Sequence, residues 1–382
     1  MSLKENCNDI FNLLGAKKLP SVLDLSNFKE AVLSWADFYG VKKVKWPKEK
    51  LYLNNAKNLP SVLDFSDTQD VDLSDTSLSS GVKELKGPKG YINLRETLYL
   101  PPILDFSNTQ EVDLSNTNLS DVKEIKWPKE CVDLSKTRNL PSVLDFSNTK
   151  EAILYGMDLS DVKEIKGQKV VLVGTRNLPP VLDLSNVKEV DLRGADFFGV
   201  KEIKGPKESL DLSCIINPPS VLDLSNTKKV DLSGPKTDLS SVEELKGPKE
   251  YINLINAGKL PSVLDFSDTK ETDFKGADLS GVKELKSPKE CLNLIWTKNL
   301  PSELDLSDTK KIYLMGANLS KVKKVKWPKE NCVVTADDIN SWPKHIRMSY
   351  KIWERKQKIY KFYKEQKNCF LIIRQNKNKK YF

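Results

Sequence analysis

The 382-residue chain contains one histidine, His345, and its six cysteines never form a CxxC pair. Zinc fingers and thioredoxin-type redox sites are disfavoured, because they use closely spaced cysteine pairs. Histidine-dependent nucleophile triads are disfavoured too, because His345 is the single histidine that could serve. The wide spacing of the thiols favours reduced, mostly buried cysteines in a reducing compartment, and a disulfide framework is the alternative. The cysteines are Cys7, Cys131, Cys214, Cys291, Cys332 and Cys369.

Long hydrophobic segments are also missing. No run of about twenty apolar residues is present, so we expect no membrane-spanning helix. The N-terminal segment carries Glu5 and Asp9 and lacks a long apolar core, unlike a secretion signal. We therefore expect a cytoplasmic protein, and export by a signal-independent route is left open.

Excess positive charge is confined to the C-terminal segment. The formal net charge is +8, but residues 341–382 contain ten Lys, three Arg and two Glu, a net of +11, which leaves −3 for residues 1–340. The body of the chain is therefore not a basic nucleic-acid-binding surface. Only the C-terminal segment has the charge to contact nucleic acid, an anionic membrane surface or an acidic partner.

The sequence is highly repetitive. An apolar residue, nearly always Leu and called the anchor here, recurs every 20 residues, except for single steps of 21, 18 and 22. Each anchor ends a triplet in which apolar and polar residues alternate, such as 112–114 or 252–254. Alternation predicts a short strand, and one strand per 20 residues predicts a parallel solenoid, because so small a unit cannot bury an apolar face alone. The sixteen anchors are Leu33, Leu53, Leu73, Leu94, Leu114, Leu134, Leu154, Leu172, Leu192, Leu212, Leu232, Leu254, Phe274, Leu294, Leu314 and Val334.

Two kinds of coil alternate, so the true period is 40 residues. The first reads VDLSNTNLSDVKEIKWPKEC (residues 112–131) and the second reads VDLSKTRNLPSVLDFSNTKE (residues 132–151). In the first kind, apolar residues and Thr117 follow the anchor at offsets of 3, 5, 8 and 11. This spacing, over roughly residues 13–334, resembles the short bacterial form of the leucine-rich repeat. The resemblance implies strands side by side on one face, and protein binding on that face.

The third position after the anchor departs from that family, which has an Asn there that bonds to adjacent coils. This chain instead has Thr, as at Thr97 and Thr137, or Ala, as at Ala257. Segments 276–281 and 316–320 also look like pentapeptide repeats, which would imply a right-handed β-helix as the alternative fold. That second pattern breaks after two units, so we prefer the leucine-rich reading.

Charged residues form two further columns. The second kind of coil always contains Leu-Asp-Leu or Leu-Asp-Phe followed by Ser, and the first kind carries Lys at about the same place, so eight aspartates interleave with eight lysines. We interpret this alternation as a ladder of charge pairs that sets the coil register. A second column holds fourteen Lys and two Gln, and an acidic residue follows in twelve of the sixteen cases. We expect that neighbour to neutralise the column, which disfavours polyanion binding.

The strand face is the expected recognition surface. Residues before the anchor are often Asp, residues after it are often Ser, and bulky or apolar replacements therefore mark candidate contacts. Drift in a degenerate repeat is the other reading of these replacements. The candidates are Arg95, Ile153, Tyr155, Val171, Val173, Arg193, Ile255, Lys275, Ile295, Tyr313 and Met315.

The ends of the stack need cover. Asn8 and Asp9 predict a short helix as part of an N-terminal cap over residues 1–20, followed by a solenoid over 21–336. Residues 337–382 are predicted to form a basic cap and tail, with a helix from about Lys344 to Lys367 whose stripe of Ile346, Tyr350, Trp353, Tyr360 and Tyr363 packs on the final coil. The exposed Lys351, Arg355, Lys358 and Lys361 would lie opposite.

No position gathers a nucleophile, a base and oxyanion donors, and phosphate-binding glycine loops are absent, so we expect no enzyme and no cofactor. The leading hypothesis is a monomeric interaction scaffold for a protein partner. The alternative is an adaptor that binds nucleic acid or an anionic membrane surface through residues 341–382.

Overall fold

The computed structural model describes residues 10–78, 81–329, 332–337 and 339–378, with the side chains of the C-terminal helix described through Phe362 and at Lys364. The chain is a parallel β-solenoid of about 16 turns spaced about 20 residues apart, with a single C-terminal helix. The predicted fold class is confirmed. The solenoid divides into two compact units, residues 1–207 and 208–382.

The first unit has two strand-bearing faces. Its first-face strands are β1 (Ile10–Asn12), β3 (Glu30–Val32), β5 (Lys50–Tyr52), β7 (Asp70–Asp72), β9 (Tyr91–Asn93), β11 (Glu111–Asp113), β13 (Cys131–Asp133), β14 (Val143–Ile153), β15 (Glu164–Val171) and β17 (Val187–Asp191). Its second-face strands are β2 (Val22–Asp24), β4 (Lys43–Lys45), β6 (Val62–Asp64), β8 (Glu84–Lys86), β10 (Ile103–Asp105), β12 (Glu124–Lys126), β16 (Val181–Asp183) and β18 (Glu202–Lys204). Strands β14 and β15 run through both faces.

The second unit repeats this plan and adds helices. Its first-face strands are β19 (Ser209–Asp211), β21 (Lys229–Asp231), β23 (Tyr251–Asn253), β25 (Glu271–Asp273), β27 (Cys291–Asn293), β29 (Lys311–Tyr313) and β31 (Val333–Thr335). Its second-face strands are β20 (Val221–Asp223), β22 (Glu244–Lys246), β24 (Val263–Asp265), β26 (Glu284–Lys286), β28 (Glu303–Asp305) and β30 (Lys324–Lys326). A 3-10 turn (Ile339–Ser341) and α1 (Lys344–Asn378) follow.

Alternation within each strand decides what the coil buries. In β11 the middle residue, Val112, is buried while Glu111 and Asp113 face outward, and the anchor Leu114 is fully buried. Parallel pairing places equivalent residues side by side, as Val112 beside Val132. The apolar columns therefore stack into one core inside each unit.

Threonine hydroxyls take the place of an Asn ladder. The threonines three residues after the anchors are buried, and several donate to the carbonyl of the anchor one coil earlier. These bonds are Thr76 to Leu53 at 3.1 Å, Thr97 to Leu73 at 3.0 Å, Thr137 to Leu114 at 2.7 Å and Thr297 to Phe274 at 3.2 Å. They join consecutive coils through the core.

At the corner that follows each ladder lysine, the chain has Trp, Gly or, once, Ser. Trp46 and Trp127 are half-buried and lie against Phe65 and Phe146, with ring centroids 5.3 and 5.1 Å apart. At Gly87 a Cβ would clash with the Thr109 hydroxyl oxygen, so the next coil occupies this space. Both tryptophans therefore pack on the aromatic core of the neighbouring coil.

The alternating charge ladder of the second face is present. Asp105 of β10, for example, lies in register with Lys86 of β8 on one side and Lys126 of β12 on the other. Each bridged lysine bonds to the Asp one coil earlier, so the pairing is one-sided. The bridges are Lys45–Asp24, Lys86–Asp64, Lys126–Asp105, Lys204–Asp183, Lys246–Asp223, Lys286–Asp265 and Lys326–Asp305, at 2.7 to 3.7 Å.

The same carboxylates also close local turns. The hydroxyl and the backbone N–H of Ser26 both donate to Asp24, as do those of Ser107 to Asp105. Hydrogen bonds from Lys45 and Ser26 lower the pKa of Asp24 to about 2. The Leu-Asp-Leu-Ser motif therefore serves both the turn and the contact with the next coil.

Two expectations at the ends of the solenoid are wrong. Residues 10–12 form a strand paired with Glu30–Val32, not a helix, because the first coil continues the parallel ladder; Asn8 and Asp9 lie outside the described residues. At the other end, Val334 lies in register with Ile312, so it is not an anchor. The last spacing is 22 residues, which alternation alone did not reveal.

Helix α1 packs on the final coil of the second unit, as predicted. Trp342, Ile346, Tyr350 and Trp353 are buried, and the ring centroids of Tyr350 and Trp327 are 5.2 Å apart. Trp353 Nε1 donates to the Pro328 carbonyl at 2.8 Å, which anchors the helix to the corner. Tyr360 is half-buried, and the side chain of Tyr363 lies outside those described.

A matched pair of threonine substitutions tests the hydroxyl ladder in the second unit. Thr272 is buried with no hydrogen-bond partner for its hydroxyl, whereas Thr297 donates to Phe274. Thr272→Val should stabilise the protein by about 1 kcal/mol, and Thr297→Val should destabilise it by about 1 kcal/mol, because only the latter loses a hydrogen bond. Urea unfolding midpoints measure both, and shifts of the same sign would contradict this account.

A second pair tests the charge ladder. Asp105 and Asp145 make the same bonds to the following Ser, but Lys126 bonds to Asp105 at 2.9 Å whereas Lys166 bonds to Glu164 at 3.2 Å. Asp105→Asn should cost about 0.2 to 1 kcal/mol more than Asp145→Asn at low salt, since it alone breaks a bridge. Unfolding at about 1 M salt should remove the difference by screening. A salt-independent difference would rule the ladder out as its cause.

Candidate interaction surface

The residue before each anchor controls how the first-face strand ends. Where it is Asp or Asn, its Oδ1 accepts the backbone N–H two residues later, as from Ser115 to Asp113 at 2.8 Å and from Arg95 to Asn93 at 3.0 Å. The bond closes the turn locally, in the manner of an Asx turn. The acidic stripe of the strand face therefore has a structural role, because its carboxylates close the turns after the strands. The residues that accept this bond are Asn12, Asp72, Asn93, Asp113, Asp133, Asp191, Asp211, Asp231, Asn253, Asp273 and Asn293.

Six of the described first-face strands have neither Asp nor Asn at this position. These six strands occur as three neighbouring pairs. The residues that replace Asp or Asn are Val32 with Tyr52, Ile153 with Val171, and Tyr313 with Thr335. Each pair lies in register on adjacent strands. Five of the six replacements are apolar or aromatic, although this column faces outward. Loss of the turn bond is therefore clustered, not scattered.

The 153–173 patch, defined as Ile153, Tyr155, Val171 and Val173, lies in the first unit. Ile153, Val171 and Val173 are half-buried, and Tyr155 is 49% exposed. The Tyr155 ring extends over the next coil, since a Cβ on Gly174 would lie 3.6 Å from its Cε2. The sequence-predicted candidates are thus brought together into one apolar surface on two adjacent coils.

Acidic residues border this patch on both sides. Asp133 is in register with Ile153, and Asp191 is in register with Val171. The Arg193 guanidinium holds Asp191 through contacts of 2.7 and 3.0 Å. An apolar centre with a charged rim is the arrangement of many protein-binding surfaces.

The 295–315 patch, defined as Ile295, Trp296, Tyr313 and Met315, lies in the second unit. Trp296 is 61% exposed and has a left-handed backbone with φ of 55°, a conformation that is strained for so bulky a residue. Its ring lies against Gly316, where an added Cβ would clash with the indole, and the Lys275 ammonium sits 5.3 Å from the ring centroid. The indole is therefore solvent-facing and contacts both neighbouring coils.

Sequence reasoning missed Trp296, and it also missed Val32, Trp35 and Tyr52. Trp35 has φ of 63° and is 60% exposed, at the same turn position as Trp296. The sequence did contain a signal for these two tryptophans. Most other coils have Gly, Asn, Asp or another polar residue two residues after the anchor. The two tryptophans stand two residues after their anchors, whereas the predicted candidates stand directly before or after them.

The remaining candidates form no third patch of their own. Arg95 pairs with the adjacent Glu96 at 3.2 Å. Ile255 is half-buried, and the Asn253 turn bond is retained in its coil. The basic candidates therefore contribute charge to local pairs, and the apolar candidates contribute the exposed surface.

Burial and nearby carboxylates raise the pKa values of Tyr91 and Cys131, which stand at the start of two first-face strands. Burial, with help from Asp113 and Asp72, raises the pKa of Tyr91 to about 12. Burial, followed by Glu151 and Glu111, raises the pKa of the Cys131 thiol to about 11. Cys131, Cys214, Cys291 and Cys332 are half-buried, not mostly buried as expected; Cys7 lies outside the described residues, as does the side chain of Cys369.

Several of the turn lysines form ion pairs, but not with the residue that follows them. Lys150, which Glu151 follows, bonds to Glu130, and Lys270, which Glu271 follows, bonds to Glu250 at 3.5 Å, so these pairs join consecutive coils. Lys289 similarly reaches Asp268 at 3.0 Å. The expected pairing with the next residue is wrong, because stacking brings the acid of the previous coil closer to the ammonium.

Among the described residues, no group of three or more His, Cys, Asp or Glu side chains is arranged to hold a metal ion. In the same part of the chain, no helix has the length and apolar character needed to cross a membrane. Comparisons with protein-family models and with curated proteins gave no match.

Replacing the 153–173 patch with the Asn and Ser residues that are typical of other coils tests whether the patch is needed for stability. In the variant Ile153→Asn, Tyr155→Ser, Val171→Asn and Val173→Ser, each Asn can accept the turn bond that Asn93 accepts. We expect the unfolding free energy to stay within about 1 kcal/mol of wild type, because surface changes cost little and the turn bonds offset them. Urea unfolding measures this, and Val170→Asn in the adjacent core column serves as a destabilising control. A loss as large as that of the control would show that the patch is structural.

Proposed function

We propose that this protein is a non-enzymatic interaction scaffold whose first-face strands bind a protein partner. The observation that carries the proposal is the clustered loss of the turn-closing Asp or Asn. At Ile153 with Val171, and at Tyr313, a stabilising local bond is replaced by an outward apolar side chain, and an apolar residue also follows the anchor. Random drift would scatter such replacements along the column.

The chemistry of the patches fits a protein partner best. Tyr155, Trp296 and Met315 are residue types that dominate binding energy or adapt to a partner surface. Trp296 contacts Gly316 and the Lys275 ammonium, and these contacts reduce the side-chain entropy that binding would cost. Asp133 beside Ile153 favours a partner with a basic residue next to its apolar centre, whereas Asp191 on the other side is already paired with Arg193.

We further propose that the repeat is a divergent leucine-rich repeat. In that family an Asn bonds to adjacent coils, and here the hydroxyls of Thr97 and Thr137 supply such bonds to the coil before. The free thiols of Cys131 and Cys214 fit a reducing compartment, so we propose that the scaffold acts in the cytoplasm.

Quantitative affinity capture from the source cells tests the scaffold proposal. Full-length wild type is compared with the four-residue 153–173 variant and with a second variant, Trp296→Asn, Tyr313→Asn and Met315→Ser. Specific partners should be captured at least about tenfold less by one or both variants, because hot-spot side chains are removed.

The matched control is Tyr39→Ser with Phe198→Ser. These two aromatic side chains are 82% and 80% exposed, but they lie in turns away from the first-face strands. Capture by this control should equal that of wild type. If all variants retain the same partners, or if the control loses them equally, the strand face is not the binding surface.

A further inference from the structure

Helix α1 has a second apolar side that the solenoid does not cover. Its packed side is formed by Ile346, Tyr350 and Trp353, which are 1%, 6% and 9% exposed. Met348, Ile352 and Ile359 are instead 55%, 54% and 58% exposed. A helix with apolar residues on both sides has more apolar surface than packing on one coil requires.

The exposed apolar residues form one stripe along the helix, which Arg355 interrupts between Ile352 and Ile359. At about 100° per residue, Met348, Ile352, Ile359 and Phe362 fall within an arc of about 80°. That arc is centred opposite the packed residues. Phe362 is also 58% exposed, so the stripe runs for four turns of the helix. The solenoid therefore holds α1 with this stripe turned to solvent.

Basic side chains flank the stripe on both sides. Residues 344–362 contain seven Lys or Arg and one Glu. Lys351 lies on one flank and Lys356 on the other, both exposed, and Arg355 lies within the stripe. Lys358 is partly neutralised by Glu354, at 3.5 Å. The long aliphatic stems let the ammonium groups reach a charged surface while the stripe enters an apolar layer.

We propose that α1 docks the protein on an anionic lipid bilayer surface, lying in the plane of the interface with its stripe in the acyl boundary and its lysines at the headgroups. This combination of an apolar stripe with basic flanks is the arrangement of interfacial helices. Nucleic acid would use the charge but would leave Met348, Ile352 and Ile359 without an apolar environment.

A groove beside the stripe adds a site for headgroups. It has a volume of about 820 Å³ and is lined by Trp327, Pro328, Ile352, Trp353, Lys356 and Tyr360, among others. Aromatic rings with polar edges and a lysine suit the boundary between headgroups and acyl chains. Ile352 belongs to both the groove and the stripe, and Lys356 belongs to the groove and to the basic flank, so groove and stripe are adjacent.

Vesicle co-sedimentation of the full-length protein tests the proposal. Vesicles of phosphatidylcholine alone are compared with vesicles containing about 30% phosphatidylglycerol, in the presence and absence of a competing duplex oligonucleotide. Wild type should bind the anionic vesicles at least about tenfold more strongly than the neutral ones, since each nearby lysine contributes about fivefold. The oligonucleotide should not displace it.

Two variants separate the apolar and charged contributions. Ile352→Gln with Ile359→Gln keeps the charge and should lower the affinity for anionic vesicles by about tenfold or more. Lys351→Gln with Lys356→Gln keeps the stripe and should lower it by a similar factor. Because these side chains face solvent, thermal unfolding should be unchanged.

Matched controls change the same residue types elsewhere in the second unit. Val221→Gln with Val263→Gln removes two exposed apolar side chains, and Lys236→Gln with Lys298→Gln removes two exposed lysines. Both should bind like wild type. Their vesicle binding also shows whether binding depends on α1 or on exposed apolar and basic side chains anywhere on the protein.

Three outcomes would overturn the proposal. Full binding by the Ile352 and Ile359 variant, combined with displacement by the oligonucleotide, would indicate a nucleic-acid surface. A dimer in light scattering that this variant converts to a monomer, without vesicle binding, would indicate that a second copy covers the stripe. Equal binding of neutral and anionic vesicles by wild type would show that the basic flanks play no part. The strand-face variants are expected to bind vesicles normally, so failure here leaves the scaffold proposal standing.

Discussion

Parallel stacking of coils in register is the constraint on which the rest of this structure depends. Each strand bonds to the equivalent strand one coil away, so every side chain has the equivalent residue of the next coil about 4.8 Å from it. Any property repeated in a column is therefore repeated as a contact. Leucine columns add to the core, whereas a column of like charges would repel itself.

The two-coil period is explained by this constraint. Aspartates and lysines alternate on the second face, where Lys126 and Asp105 meet at 2.9 Å. Asp105 also closes its own turn through Ser107. Buried threonines add hydrogen bonds between the same coils, as from Thr97 to the Leu73 carbonyl. Individually weak contacts gain importance because they recur along the stack.

The same regularity makes departures informative. Ile153 and Val171 sit where most coils have a turn-closing Asp or Asn, and Trp296 adopts a backbone conformation that Gly or Asn adopts at lower cost. At the C-terminal end, Trp327, Tyr350 and Trp353 join α1 to the last coil and leave Ile352 and Ile359 outside. Both features place apolar side chains in solvent on rigid elements. They are the basis for two separate proposals, one for a protein and one for a lipid surface.

The sequence by itself determined the parallel solenoid, the 40-residue period, the alternation of Asp with Lys and the start of the helix at Lys344. These follow from periodicity and helix signals, which are local properties. Tertiary structure decided the rest. That Lys270 bonds to Glu250 and not to the Glu271 that follows it, that Val334 aligns with Ile312, and that Trp296 lies over Gly316 all depend on how one coil sits on another. Stacking distance and side-chain conformation set these contacts, and neither can be read from separation along the chain.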